Sequence, residues 1–371
     1  MPLKSSRIEV SDPMEAIEYF YRENLTDGLP VVPPTETRVS QFLEYVHLSP
    51  EHVIGEVTER ARLITAEKLA INAVMAGCLP EYMPVLAAAV EGLCDPEFKF
   101  NHLASMGSPW PLLIVSGPAA KALKMNYGMY LIGSGNRANT TIGRAISLLL
   151  WNCCELRPDA IQRGQLGNPH RHSFCIAENP DTHWEGLNEW EGYSRDTSTV
   201  TVFSGYYFCF TRSEASVARA ILAPLANSIS RHEFARGCVV VVLPPNFEEL
   251  FVQQGWTKRK IRDYLFENCK RSVKDLKEDG RWGRLTSTFE GNLKDLIPTY
   301  PGDEDRWVHL FRQSENPALD LSVFHEGALN RRADVLIVAA GGDASMNMGV
   351  LQPYTMSTNP VTKPITLPHA I

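Results

Sequence analysis

The run from Cys238 to Leu243, Cys-Val-Val-Val-Val-Leu, is continuously apolar and closed by Pro244-Pro245. It is far shorter than the ~20 residues of a membrane span. It also lacks the alternation of a half-exposed strand. It therefore reads as a strand buried on both faces, in a parallel setting. Pro-Leu-Leu-Ile-Val-Ser-Gly at 111–117 repeats the pattern, and so does Asp334 to Ala340, which ends in Gly341-Gly342. Helical periodicity fills about 37–46, 65–77, 81–93, 141–153, 213–229, 246–254 and 257–272. Further strands are expected at 171–176, 198–204 and 206–211. Short strands alternating with helices imply an α/β fold. The expected form has mixed or mostly parallel sheets flanked by helices, in two lobes around a cleft.

A chain of 371 residues exceeds a minimal single core. We expect an N-terminal lobe over 1–160 and a C-terminal lobe over 161–371. The boundary near 157–170 is suggested by Pro158, Gly164, Gly167 and Pro169. The net charge of −7 argues against nucleic acid as a partner, since such binders carry a basic face. The triplet Lys258-Arg259-Lys260 reads as a solvated helix face. No segment has the apolar length of a membrane span, and the first ten residues lack a signal-peptide hydrophobic region. A cytoplasmic homo-oligomer is expected. The eight cysteines are scattered through apolar stretches, as reduced, mostly buried thiols are.

Local signals are clear in places. Asp12-Pro13 reads as N-cap and first turn of a helix reaching about Glu23. Thr65 is a candidate N-cap, and Pro80 or Pro84 marks another helix start. Asp27-Gly28-Leu29-Pro30-Val31-Val32-Pro33-Pro34-Thr35 must be extended, because its prolines forbid a helix. Residues 273–330 are polar, with several Gly and Pro, and read as a mixed linker or lid.

Two copies of one pattern carry the chemistry: Cys78-Leu79-Pro80-Glu81 and Cys175-Ile176-Ala177-Glu178. Each sets a thiol three residues ahead of a carboxylate. Cys78 precedes a helix start, where unpaired N–H groups and the dipole favour thiolate. Glu81, one turn on, could move a proton. The alternative is a packed thiol at a tight inter-helix corner. Strand alternation puts Cys175 on one face with Ser173 and Ala177, leaving Glu178 and Asn179 at the strand's C-terminal end, the usual ligand edge. If both segments converge, Cys78, Cys175, Glu81 and Glu178 form one catalytic site.

The stretch Gly133-Ser-Gly-Asn136-Arg137-Ala-Asn139-Thr-Thr141-Ile-Gly-Arg144 reads as an anion-binding loop. Its glycines permit close backbone approach, and a helix N-terminus attracts anions. Arg137 and Arg144 could clamp a carboxylate, with Asn136, Asn139, Thr141 and Asn179 supplying short polar contacts. It matches neither the P-loop nor the dinucleotide fingerprint. Gly341-Gly342-Asp343 is a weaker pocket signal. No cofactor is expected. His170, His172 and His183 near Cys175 keep a zinc or iron alternative open, though no known ligand spacing is met.

Taken together, Asp27–Thr35, Lys68–Tyr82, Gly135–Ala145, Phe174–Asn179, Asp196–Phe203 and Gly255-Trp256-Thr257-Lys258 resemble one bacterial protein family whose activity is not settled. The resemblance covers most of 27–270 and weakens after about 273. Members of that family look more glycine-rich after the final Gly-Gly, where this chain has Asp343-Ala-Ser-Met-Asn-Met348. A small protein with a Cys/selenocysteine-Gly-Ser-Cys motif is often encoded beside such proteins. The resemblance therefore implies thiol or selenol chemistry and a small thiol- or selenol-bearing partner protein.

Three functions remain open from sequence. The first is a cysteine-dependent enzyme, of lyase, isomerase or thiol-transfer type, acting on a small anionic metabolite. The second is a non-catalytic or half-site subunit of a thiol-protein complex. The third is a Cys/His metal-dependent enzyme.

Overall fold

A computed structural model describes residues 2–104, 107–158, 160–231, 238–278, 304–309, 335–353 and 359–366. The first helices are α1 (Pro13–Arg22) and α2 (Glu36–Tyr45), followed by β1 (Val53–Val57), β2 (Arg62–Thr65), α3 (Ala66–Ala76) and α4 (Met83–Cys94). Then come β3 (Trp110–Ser116), α5 (Ala119–Ala122), α6 (Arg137–Cys154), β4 (Cys175–Ala177), α7 (Leu187–Trp190) and β5 (Thr199–Arg212). The chain continues through α8 (Ala218–Arg231), β6 (Val239–Leu243), α9 (Pro245–Gln253), α10 (Lys258–Asn268), β7 (Lys270–Ser272) and α11 (Val273–Glu278). It closes with β8 (Trp307–His309), β9 (Val335–Ala339), β10 (Asn347–Pro353) and β11 (Val361–Pro364). The fold is mixed α/β.

Two compact units result. One comprises Met1–Tyr206, Val338–Ala344 and Thr358–Ile371; the other comprises Tyr207–Ile337 and Ser345–Ser357. The division falls inside β5, whereas the sequence suggested a boundary near 160. The reason is visible in β4: it pairs in parallel with β3, Leu113 opposite Cys175 and Val115 opposite Ala177. The Cys175 strand therefore belongs to the same unit as Cys78.

In the first unit the strands run in the order β4, β3, β5, β11. β5 is antiparallel to β3, with Trp110 opposite Gly205 and Ser116 opposite Thr199. β11 is antiparallel to β5. Every residue of β3 is buried, which explains the apolar run from Trp110 to Val115. Gly92 of α4 has no Cβ because one would come within 2.9 Å of Val202 Cγ2. The Trp110 indole N–H donates to Ser147 Oγ of α6 at 2.9 Å, so its polar edge is satisfied on burial.

Helix starts follow side-chain capping. Asp12 accepts from the N–H groups of Met14 and Glu15, Thr65 from that of Lys68, and Asn136 from that of Asn139. α6 thus begins four residues before the expected Thr141.

In the second unit the order is β10, β6, β9, and β10 is antiparallel to β6. β6 is buried at every residue, as expected, but its pairing with β10 is not parallel. That unit also holds α8 to α11 and the β7–β8 pair, and Arg262 of α10 donates from Nε to the Val335 carbonyl at 2.7 Å. Most of 273–330 lies outside the described residues. No helix among the described residues is long and apolar enough to cross a membrane.

Candidate functional site

The two Cys-x-x-Glu segments meet in part. Gly77 ends α3 with φ of 87° and its own N–H bonded back to Val74, so the chain turns sharply before Cys78. A one-turn 3-10 helix, Pro80–Tyr82, then intervenes before α4 starts at Met83. Cys78 therefore does not sit at the N-terminus of α4. Its Sγ donates to the Thr141 carbonyl at 3.2 Å, and its burial pushes the thiol up to about 12. The charges of Arg137 and Arg144 pull the other way without prevailing.

Cys175 is buried as well. Burial, and second the nearby Cys78, hold its thiol far above the ordinary thiol range. The two thiols are thus neighbours, and both rest protonated.

Both carboxylates lie apart from this thiol pair in character. Glu81 is half-buried. Glu178 is only 2 % exposed and lies three residues beyond Cys175, on the opposite face by strand alternation. Its Oε2 accepts the Leu187 N–H at 2.6 Å and its Oε1 the Ala339 N–H at 3.4 Å. One side chain thereby ties β4 to the start of α7 and to Ala339, all within the first unit.

The expected anion loop is occupied by protein oxygens. Arg137 donates from Nε and Nη2 to the Gly77 carbonyl at 3.0 and 2.9 Å, closing the end of α3. Arg144 grips Asp27 with two bonds, 2.9 and 2.8 Å, and reaches the Leu29 and Pro30 carbonyls at 3.2 and 2.9 Å. Burial works to raise Asp27, but the hydrogen bond and charge of Arg144 outweigh it and hold the carboxyl below its usual range. Asn139 pairs with the backbone of Asn126 in both directions, at 2.8 Å each. The Asn136 amide donates to the Lys124 carbonyl, and the Thr141 hydroxyl to the Arg137 carbonyl. The fork geometry read as a ligand clamp clamps the Pro-rich segment instead.

His170 stacks on Phe174, with ring centroids 4.0 Å apart, and burial lowers its pKa. His172 is exposed, with Nδ1 3.9 Å from Asp27 Oδ2. Among the described residues no group of three or more His, Cys, Asp or Glu side chains is placed to hold a metal ion.

A cavity of about 220 Å³ opens at the C-terminal ends of the parallel strands β3 and β4. Its lining includes Gly117, Lys121, Glu178, Asn179, Asn188, Glu189, Arg195 and Asp196, but neither thiol. The ladder runs on past β4, the Glu178 N–H still bonding the Val115 carbonyl, so Gly117 follows one residue beyond the position beside Glu178. Gly117 holds φ of 86°, and a Cβ there would come within 2.8 Å of the Thr197 carbonyl oxygen. The wall opposite is built by Asn188, whose amide donates to the carbonyls of Ser194, Arg195 and Thr197. Lys121 pairs with Asp181 at the rim, at 2.5 Å. Asn179 caps the turn by accepting the Asp181 N–H at 3.0 Å.

Of the expected site residues, then, Glu178 and Asn179 line this cavity. Cys78, Thr141, Arg137 and Arg144 gather around the other centre, with Cys175 beside Cys78. The sequence reading overlooked Lys121, Asn188, Arg195 and Asp196. The available signal was Gly117-Pro118 directly after a buried strand, the position where parallel sheets place ligands.

No protein-family model, no curated protein and no solved structure matches this chain.

Proposed function

We propose that this chain is an enzyme of proton-transfer type, a lyase or isomerase, acting on a small polar metabolite in the cavity at the ends of β3 and β4. Glu178 is the acid–base group. The observation that carries this is a carboxylate 2 % exposed yet facing a polar cavity. Its Oε2 accepts the Leu187 N–H at 2.6 Å and its Oε1 the Ala339 N–H at 3.4 Å. A carboxylate placed this way is held in one orientation by backbone donors before substrate arrives. The volume corresponds to roughly seven waters at ~30 Å³ each, which favours a metabolite over a nucleotide.

A second reading keeps the thiols. Cys78 adds to the burial that raises the Cys175 thiol, and two cationic side chains, Arg137 and Arg144, act on Cys78. In that reading an arriving substrate or partner thiol opens the Cys78 corner and frees a thiolate. The anionic-substrate expectation attaches to this reading alone, and Arg137 and Arg144 are already committed to protein oxygens.

The test is thermal-shift screening of the full chain against small acids, amines and amino acids, followed by amide hydrogen exchange with each hit. Protection over 178–196 supports the cavity. Protection only over 136–144 with loss of Cys78 alkylation supports the thiol reading. A hit protecting neither region removes both.

A further inference from the structure

Part of the cavity lining is left unused by the protein's own hydrogen bonds. The first such group is the Asp196 carboxylate. The other acidic residues of the lining are taken: Glu178 accepts the Leu187 and Ala339 N–H groups, Asp181 pairs with Lys121 at 2.5 Å, and Glu189 accepts the Gly186 N–H at 2.7 Å. Asp196 is exposed, and among the described residues its carboxylate makes no hydrogen bond and no ion pair.

The second group is Asn188 Oδ1. Asn188 is only 2 % exposed, and its Nδ2 is turned to the carbonyls of Ser194, Arg195 and Thr197. None of those bonds uses Oδ1. That oxygen lies over Gly186, where a Cβ would come within 2.3 Å of it and 3.6 Å of Glu178 Oε2. Gly186 has φ of −69°, which any residue adopts, so its bare Cα answers a need for space and not a need of the backbone. Gly186 and Asn188 both line the cavity.

The third group is Asn179 Nδ2. The Asp181 N–H donates to Asn179 Oδ1 and so fixes which way the amide points. Among the described residues Nδ2 then has no acceptor.

The turn that carries Asp196 is firmly held. Besides the three Asn188 bonds, the Thr197 N–H donates to the Ser194 carbonyl at 3.0 Å, and the Ser194 and Thr197 hydroxyls are 2.7 Å apart. A partnerless carboxylate on so well supported a turn suits contact with a ligand, since such contacts need a fixed frame.

The unused set is two acceptors, one of them a carboxylate, and one donor. A hydroxyl donates and accepts at a single oxygen. Two adjacent hydroxyls present two O–H donors to the two oxygens of one carboxylate, and their own oxygens accept from an amide. A ligand carboxylate would find only Asn179 Nδ2 among these groups and would meet Asp196 as a like charge. An ammonium has no acceptor and would leave Asn179 Nδ2 unmet.

Resting on the assignment of this cavity as the substrate site, we propose that its substrate is a small sugar or polyol with at least two adjacent hydroxyls. Asp196 accepts from the adjacent pair. Asn188 Oδ1 accepts from a further hydroxyl, and Asn179 Nδ2 donates to a hydroxyl oxygen.

The experiment uses amide hydrogen exchange over 178–196 on the full chain. The probes are erythritol and myo-inositol, with 1,4-butanediol, ethanolamine and succinate for comparison, all at the same millimolar concentration. Local exchange is the readout because polyols at high concentration stabilise any folded chain by exclusion from its surface. Erythritol and myo-inositol are expected to protect 178–196, and the other three are not. Asp196→Asn and Asn179→Asp are then compared. The second keeps the oxygen that caps the turn and loses the Nδ2 donors. Both should unfold at the wild-type midpoint and bind the polyols about tenfold more weakly, as loss of a hydrogen bond to a charged group implies.

Protection by succinate or ethanolamine but not by the polyols would overturn the hydroxyl assignment and leave the cavity as the substrate site. Equal protection by 1,4-butanediol would overturn the requirement for adjacent hydroxyls. Polyol protection undiminished in both variants would remove Asp196 and Asn179 from the site. Protection of 178–196 by none of these probes, while a hit from the screen of acids, amines and amino acids does protect it, would overturn the polyol alone. Protection by no compound of either set would count against the cavity as well.

Discussion

Arg144→Met is the substitution that best separates a structural guanidinium from a ligand-binding one. In the native chain Arg144 is 13 % exposed and Asp27 7 % exposed at their side chains, and two bonds under 3 Å join them. Methionine keeps much of the aliphatic stem but removes all four hydrogen bonds that Arg144 makes to the Pro-rich segment. Among the described residues Asp27 then keeps the Leu29 N–H and the Thr26 hydroxyl as hydrogen-bond donors, with the exposed His172 Nδ1 3.9 Å from its Oδ2. Breaking a buried ion pair by removing one partner costs ~3–5 kcal/mol. Both groups keep some exposure, so the lower half of that range applies. At roughly 2–4 °C per kcal/mol for a body of this size, the midpoint should fall by about 6–16 °C. Calorimetry and urea titration read this directly.

The pH dependence gives a second handle on the same pair. The folded Asp27 pKa lies below its ordinary 3.8, so the pair's stabilisation is complete above that value and is lost as pH falls through the folded pKa. The wild type should therefore lose stability below about pH 4 more steeply than Arg144→Met. The reasoning is refuted if Arg144→Met changes the midpoint by under 2 °C while phosphate or succinate stabilises wild type and not the variant. That result would return Arg144 to the anion-binding role.

Three further outcomes are expected. Iodoacetamide at neutral pH should modify Cys153 and Cys209, which are only part-buried, before Cys78 and Cys175; peptide mapping in which Cys78 reacts first would contradict the resting burial of that thiol. Asn139→Ala leaves the Asn126 N–H and carbonyl unpaired and should cost ~1–3 kcal/mol in urea titration, while Asn139→Asp should restore part of it through the retained acceptor. Gly117→Ala strains a positive φ and crowds the Thr197 carbonyl, so it should lower the midpoint and abolish the protection that any cavity hit gives to 178–196.

Much of the fold was readable because its signals are local. Asp12 and Thr65 cap helices that begin where their short oxygens predict. The start of α6 was misplaced because Thr141 and Asn136 are both capping residues, and only the contact of Asn136 with the Asn139 N–H decides between them. Two expected strands at 198–204 and 206–211 are one, since Gly205 stays in the ladder opposite Trp110. The burial of β6 was legible, but its direction was not. An apolar run reports two covered faces, whereas antiparallel pairing is set by β10, in a tail that showed little pattern.

The site was harder for the same reason. A guanidinium near a helix start looks alike whether it meets a substrate or Asp27, and Asp27 lies 117 residues away. The Cys-x-x-Glu echo pointed to Cys78 and Cys175, which fall in one compact unit. It did not foresee that a three-residue spacing in a strand turns the carboxylate away from the thiol.

The central claim is that Glu178 faces a substrate cavity rather than merely bracing β4. Amide exchange at Leu187 and Ala339, the two N–H groups it accepts, tests this most directly. With a saturating hit from the thermal-shift screen, exchange at both should slow along with the rest of 178–196, while 133–144 stays unchanged. Slowing confined to 133–144, with Leu187 and Ala339 unaffected, would contradict the claim and place the site at the thiols.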